Sequence, residues 1–219
     1  MIPNRFDDTS TNSISDELRS IRFFIFSIYF FRHASYTMSI ETDIWQWLDN
    51  VVIDLNLCPF ARKPRKAKQI RLALFTDRDL SQLDQFLLQE LEYLMQTPSQ
   101  TVETTLIATP YCLAVFEDYL DYLDQAQWLL ERAGLEGIIQ IASFHPNYQF
   151  SETQADDPSN LTNVAPYPIL HLIREDSLEE VLKRYPDPEQ IPENNIKLMK
   201  SLTQEDKARL FPYRAPLKS

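Results

Sequence analysis

The chain has 219 residues, 44% hydrophobic and 24% charged, with 21 Lys and Arg against 32 Asp and Glu for a formal charge of −11. This is the composition of a soluble globular protein, and its acidic balance argues against bulk nucleic-acid binding, which needs a basic face. Only two glycines occur, Gly134 and Gly137, where average usage would give roughly fifteen. Dinucleotide fingerprints and phosphate-cradling loops need several at fixed spacing and are excluded.

The first 37 residues differ from the rest. Arg5, Arg19, Arg22 and Arg32 balance Asp7, Asp8, Asp16 and Glu17, so the whole negative charge belongs to residues 38–219. The run Phe23-Phe24-Ile25-Phe26-Ser27-Ile28-Tyr29-Phe30-Phe31 is apolar, but crossing roughly 30 Å of hydrocarbon takes about 20 residues of helix. The following Arg32-His33-Ala34-Ser35-Tyr36 offers no small-x-small cleavage site. Met38-Ser39-Ile40-Glu41 then opens a patterned helix. Residues 1–37 are therefore expected to be an upstream extension without a fold, and residues 38–219 a single globular domain with no membrane partner. Cys58 and Cys112 lie far apart without a CxxC spacing, which suits a cytoplasmic protein.

In chain order, Ile44, Trp47, Leu48, Val51, Val52 and Leu55 make one helical stripe, stopped by Pro59. Residues 68–75 (KQIRLALF) read as a strand. Leu80, Leu83, Leu87, Leu91 and Leu94 mark a second amphipathic helix, broken at Thr97-Pro98-Ser99. Residues 104–109 (TTLIAT) are a second strand. Phe116, Leu120, Leu123, Ala126, Leu130 and Ala133 mark a third helix, with Gly134 placed for a left-handed cap. Residues 137–142 (GIIQIA) and 168–174 (PILHLIR) are the third and fourth strands, separated by a polar, aperiodic segment over residues 145–166. Ser177-x-x-Glu180 reads as a capping box that starts a helix. A last helix begins near Pro192 and buries Ile196, Met199 and Leu202. The order αβαβαβ–long loop–βαα predicts an α/β fold with a mostly parallel four-stranded sheet covered by helices. Helical crossovers make the first three strands parallel, and the fourth, reached without a helix, antiparallel.

The long connection is the main functional clue, because loops beyond about 12–15 residues are uncommon in compact domains and are often functional. It is anchored by Phe144, Tyr148, Phe150 and Tyr167 and is rich in polar groups, among them His145, Asp157, Asn160 and Asn163. His171, Arg174 and Glu175 follow at once. Ligands of α/β sheets gather beyond strand carboxyl ends. His145 follows one such end, and Arg174 and Glu175 occupy another. His145 and His171 are the two imidazoles outside the tail, so acid–base chemistry by histidine must use them. On the fourth strand His171 shares a face with Ile173 and Glu175, while Arg174 faces the other way. The plain alternatives are a satisfied core histidine and a salt-bridge network around Arg174.

Cys58 ends the first helix, where the helix dipole raises a thiol pKa. The basic run Arg62, Lys63, Arg65, Lys66, Lys68 and Arg71 follows it, and would lower that pKa or contact anions. Mixed thiolate and imidazole ligation would allow a zinc ion at Cys58, His145 and His171. Separations of 87 and 26 residues match no ligand spacing, so no cofactor or metal is expected.

Several stretches together resemble a known bacterial family. They are Asn56-Leu57-Cys58-Pro59-Phe60-Ala61, Glu103-Thr104-Thr105-Leu106, residues 140–150 (QIASFHPNYQF), Asn160-Leu161-Thr162-Asn163 and residues 166–175 (PYPILHLIRE). With the ending Tyr185-Pro186-Asp187-Pro188 and Ile191-Pro192-Glu193, they are similar to the family known as domain of unknown function 1415 over about residues 40–202. The resemblance supports a start at Met38 and implies little chemistry, since the family carries no established activity. Two positions depart from its pattern. This chain has Val164 where relatives commonly have a basic residue, and Thr109 where they often have a histidine.

Two functions are consistent with these residues. The first is a small cytoplasmic enzyme of the hydrolase or group-transfer type acting on a polar or anionic metabolite. His145 or His171 is its general acid/base with Glu175 nearby, Arg174 holds the anionic group, and Cys58 is a possible nucleophile. Asp157, Asn160, Asn163 and Tyr148 orient the substrate. The second is a non-catalytic ligand-binding or interaction module with structural histidines. The enzyme reading requires both imidazoles and the Arg174 guanidinium to line one hollow.

Overall fold

Residues 37–214 are described in the computed structural model of the chain, which divides into two units, Met1–Thr42 and Asp43–Ser219. In the first unit residues 37–42 are helical, and Thr42 Oγ1 donates to the Met38 carbonyl at 2.7 Å. The expected tail, apart from Thr37, lies outside the described residues.

The second unit opens with a helical segment, α1 (residues 43–53), whose end is wound as a π turn over Leu48–Ile53. Pro59 is not what ends it. Asn56 adopts a left-handed φ of 56°, and the Leu57 and Cys58 amides turn back onto the Val52 carbonyl. A short helix missed by periodicity, α2 (Arg62–Lys66), precedes β1 (Ile70–Leu74). In α3 (Leu80–Gln96), Asp79 caps the first turn by accepting from the Ser81 amide. Of the expected stripe, Leu83, Leu87, Leu91 and Leu94 are fully buried, each side chain worth about 1.5–3 kcal/mol of transfer from water, while Leu80 in the first turn is exposed. β2 (Thr104–Ala108) is buried along its whole length, and α4 (Phe116–Arg132) ends before Gly134 at φ 71°, the left-handed position expected there.

β3 (Ile139–Phe144) lies two residues later than its sequence pattern suggests. The long connection contains a 3₁₀ turn, Pro158–Asn163, and leads to β4 (Ile169–Arg174). That strand runs straight into α5 (Glu175–Leu182). The expected capping box is therefore wrong: the Glu175 amide is taken by the Ile138 carbonyl, and Ser177 and Glu180 fall inside the helix. The last expected helix is two, α6 (Ile191–Ser201) and α7 (Gln204–Leu210), joined by Leu202 and Thr203.

The sheet order is β1-β2-β4-β3, with β1 and β2 parallel and β4 antiparallel to both β2 and β3. The α/β class holds and β4 is reversed as expected, but the sheet is mixed rather than mostly parallel. β4 inserts between β2 and β3, so only one parallel pair forms. The reason lies in the long connection, which carries the chain back to the sheet centre instead of to an edge.

Paired residues share a face. Ala73, Ile107, Leu170, Leu172, Ile139 and Ile141 face α3 and α4, forming one core with Leu87, Leu91, Tyr119 and Leu130. Leu72, Leu106, His171 and Ala142 lie in register on the opposite face. At the end of that face α1 sets Trp47 edge-on to Phe144 at 5.2 Å, and Trp47 Nε1 donates to the Val164 carbonyl at 2.9 Å.

Candidate functional site

His145 leaves β3 on the α4 side of the sheet. Its ring lies 5.1 Å from both Phe116 and Tyr119, with no exposed surface. Nδ1 accepts from the Asn147 amide at 3.0 Å, so the proton is on Nε2, which donates to the Leu113 carbonyl at 3.0 Å. Burial pushes its pKa below the usual histidine value, against a smaller upward pull from the Leu113 carbonyl. Both nitrogens are in use. Leu113 itself holds a left-handed φ of 58°, so the ring fastens the bend after β3 to a strained bend after β2.

The polar residues of the long connection are likewise engaged within the fold. Asn160 Oδ1 accepts from the Phe150 amide and the Thr153 hydroxyl, while its Nδ2 donates to the Gln154 carbonyl. Asp157 caps the 3₁₀ turn through the Ser159 amide, which holds its carboxyl below the ordinary range. Asn163 Nδ2 donates to the Ser143 carbonyl, and its Oδ1 accepts from Thr162. Tyr148 packs between Phe116 and Phe150 with its hydroxyl 3.4 Å from Ser143 Oγ.

Arg174 ends β4 at the opposite end of the strands, level with the start of β3. Its guanidinium donates to the carbonyls of Leu94, Thr97 and Val102, closing the carboxyl end of α3, where a cation opposes the helix dipole. Glu175 is the first residue of α5 beside it. Arg174 is in register with Ile139, six residues before His145, so strand geometry separates these two groups by about 20 Å. Because β4 is antiparallel to β3, its carboxyl end is not the edge where His145 sits. The expected anion holder and the expected acid/base do not meet.

His171 sits mid-strand on the other face, half-buried. Its Nε2 is 2.6 Å from Thr104 Oγ1, which is 2.5 Å from the Leu172 carbonyl. A carbonyl cannot donate, so the hydroxyl proton points to Leu172 and Nε2–H donates to Thr104. Nδ1 is left unprotonated, and among the described residues it has no hydrogen-bond partner. Burial lowers the pKa to about 4, so the ring is neutral near pH 7. Thr104 was not a sequence candidate: its role depends on the register between β2 and β4.

Cys58 is a thiol rather than a thiolate, because burial raises its pKa more than the Phe60 and Ala61 amides lower it. The basic run does not activate it. Arg65 pairs with Asp49 and stacks on Trp45, Arg71 pairs with the buried Glu90, and Arg62 donates to the Ile53 carbonyl. The zinc set Cys58, His145 and His171 is not assembled: the two imidazoles lie on opposite faces and His145 has no free nitrogen. Among the described residues no group of three His, Cys, Asp or Glu could hold a metal ion, and no helix is long and apolar enough to cross a membrane.

The profile of a family described as a protein of unknown function, DUF1415, matches residues 39–209. The chain belongs to the DUF1415 family. Searches of curated proteins and of solved structures returned no match. Two positions of this DUF1415 chain deserve comparison with the family pattern given above. Val164 is 1% exposed and gives its carbonyl to Trp47, and Thr109, also buried, donates its amide to the Pro168 carbonyl. Both side chains therefore sit in close-packed surroundings.

Proposed function

We propose that this domain is a ligand-binding module for a small polar molecule, held on the sheet face that carries His171. The observation behind this reading is the contrast between the two imidazoles. His145 is locked at both nitrogens, whereas the hydrogen-bond relay from His171 through Thr104 to the Leu172 carbonyl leaves Nδ1 as a fixed acceptor. A ring that is neutral near pH 7 suits a hydroxyl, amide or ammonium donor on the ligand. Arg174 and Asn160 are engaged with backbone groups of the fold and do not carry this reading.

A second reading, an acid–base enzyme of the hydrolase or group-transfer type, draws on the same bare Nδ1, since a tautomer fixed from behind is what a histidine base requires. Its pKa near 4 makes His171 a weak base until a ligand raises that value. Diethyl pyrocarbonate, which attacks accessible unprotonated imidazole, tests what both readings share. Peptide mapping should find His171 carbethoxylated and His145 spared. Protection of His171 equal to that of His145 would overturn the reading. A His171 pKa that moves toward neutrality on ligand binding would favour the enzyme over the module.

A further inference from the structure

Beyond the carboxyl end of β1, a hollow of about 240 Å³ opens between Leu74, Asp77 and one face of α3. Gln82, Gln85 and Gln89 line it with Phe86, at the i, i+3, i+4 and i+7 positions that share a helix face. Its polar groups contrast with those of the long connection. The three glutamines are exposed, and among the described residues their side-chain amides make no hydrogen bond, so they are free to exchange solvent for a ligand. Asp77 uses Oδ1 to accept from the Arg78 and Asp79 amides, and its other oxygen has no partner among the described residues. Three amides and a carboxylate thus offer paired donors and acceptors beside the Phe86 ring. Among the described residues, no cationic side chain lines the hollow.

We propose that this hollow binds a neutral, polyhydroxylated ring, a saccharide unit. Neighbouring hydroxyls each donate and accept, matching the amide pairs, and the C–H face of such a ring packs against Phe86. A phosphorylated or carboxylated ligand would meet Asp77 with no compensating cation. The volume lies below the roughly 300 Å³ at which pockets for drug-sized ligands begin, which suits a single ring. The position, beyond the carboxyl end of a parallel strand pair, is where α/β sheets commonly hold ligands. The site is separate from His171 and does not depend on it.

Titration of glucose into the ¹⁵N-labelled full chain tests the proposal. The side-chain amide signals of Gln82, Gln85 and Gln89 should shift together and saturate with a Kd in the millimolar range. Glucose 6-phosphate should bind more weakly. Gln85→Ala and Gln89→Ala should each weaken binding about three- to tenfold, the worth of one hydrogen bond, with Tm unchanged. His171→Ala should leave the titration as it is. Shifts that stay linear to about 100 mM, far above a specific millimolar Kd, would overturn the proposal. So would shifts away from these glutamines, or tighter binding of a blocked dipeptide than of glucose.

Discussion

His145 and His171 look alike in the sequence, yet they are held by different bonds. At His145 both nitrogens serve backbone groups, so removing the ring takes their partner from the Leu113 carbonyl and the Asn147 amide. His171 has one bonded nitrogen and a depressed pKa of about 4. An unfolded histidine takes up a proton near pH 6.5, whereas folded His171 refuses one until about pH 4. Its contribution to stability is therefore complete above about pH 6.5 and is lost as the pH falls toward 4, by up to about 3 kcal/mol. Urea unfolding at pH 7 and about pH 4.5 should show this loss in the wild type and a clearly smaller one in His171→Gln. An equal loss in both would mean that the folded ring titrates normally.

Within the elements, one hydroxyl from α4 braces the end of the sheet. The Glu175 amide bonded to the Ile138 carbonyl sets the register in which Phe144 and Ile169 are the last partners of β3 and β4. Tyr119 Oη joins that pair, accepting from the Phe144 amide at 3.1 Å and donating to the Ile169 carbonyl at 2.7 Å. It ties α4 to the strand ends where His145 turns away, and burial raises its pKa far above the ordinary tyrosine value. Tyr119→Phe should cost about 0.5–1.5 kcal/mol, the net worth of a typical hydrogen bond, because the hydroxyl's two bonds to the strand ends are lost. The Phe144 amide should also exchange faster with deuterium. Unchanged stability together with unchanged exchange would show that the strand pairing alone satisfies both groups.

At the scale of the whole molecule, the decisive feature is that the last strand in sequence lies inside the sheet. β3 bonds to β4 and not to β2, so a chain ending at Ala165 should keep β3 unpaired. Such a truncated chain should lose cooperative unfolding and the near-ultraviolet signal of packed aromatic rings, since Tyr119 and Phe144 both depend on β4. If β3 paired with β2 in the parallel order suggested by alternating helices and strands, that chain would retain a folded three-stranded sheet.

Local chemistry was legible without coordinates: the leucine stripe of α3, the left-handed stop at Gly134, the four strands and the reversal of β4 all follow from spacing and residue type. Membership of DUF1415 was legible too, since long motifs are properties of the sequence itself. The capping box at Ser177 misled because a strand entering a helix directly leaves no turn for it. What spacing could not supply was which strands are neighbours, and hence whether His145, His171 and Arg174 meet. Alternation along a strand gives faces but no partner, so the choice to insert β4 between β2 and β3 decided it. That choice separated His145 from Arg174 by the length of the sheet, turned His171 to the opposite face, and gave Thr104 a role only its cross-strand neighbour could reveal.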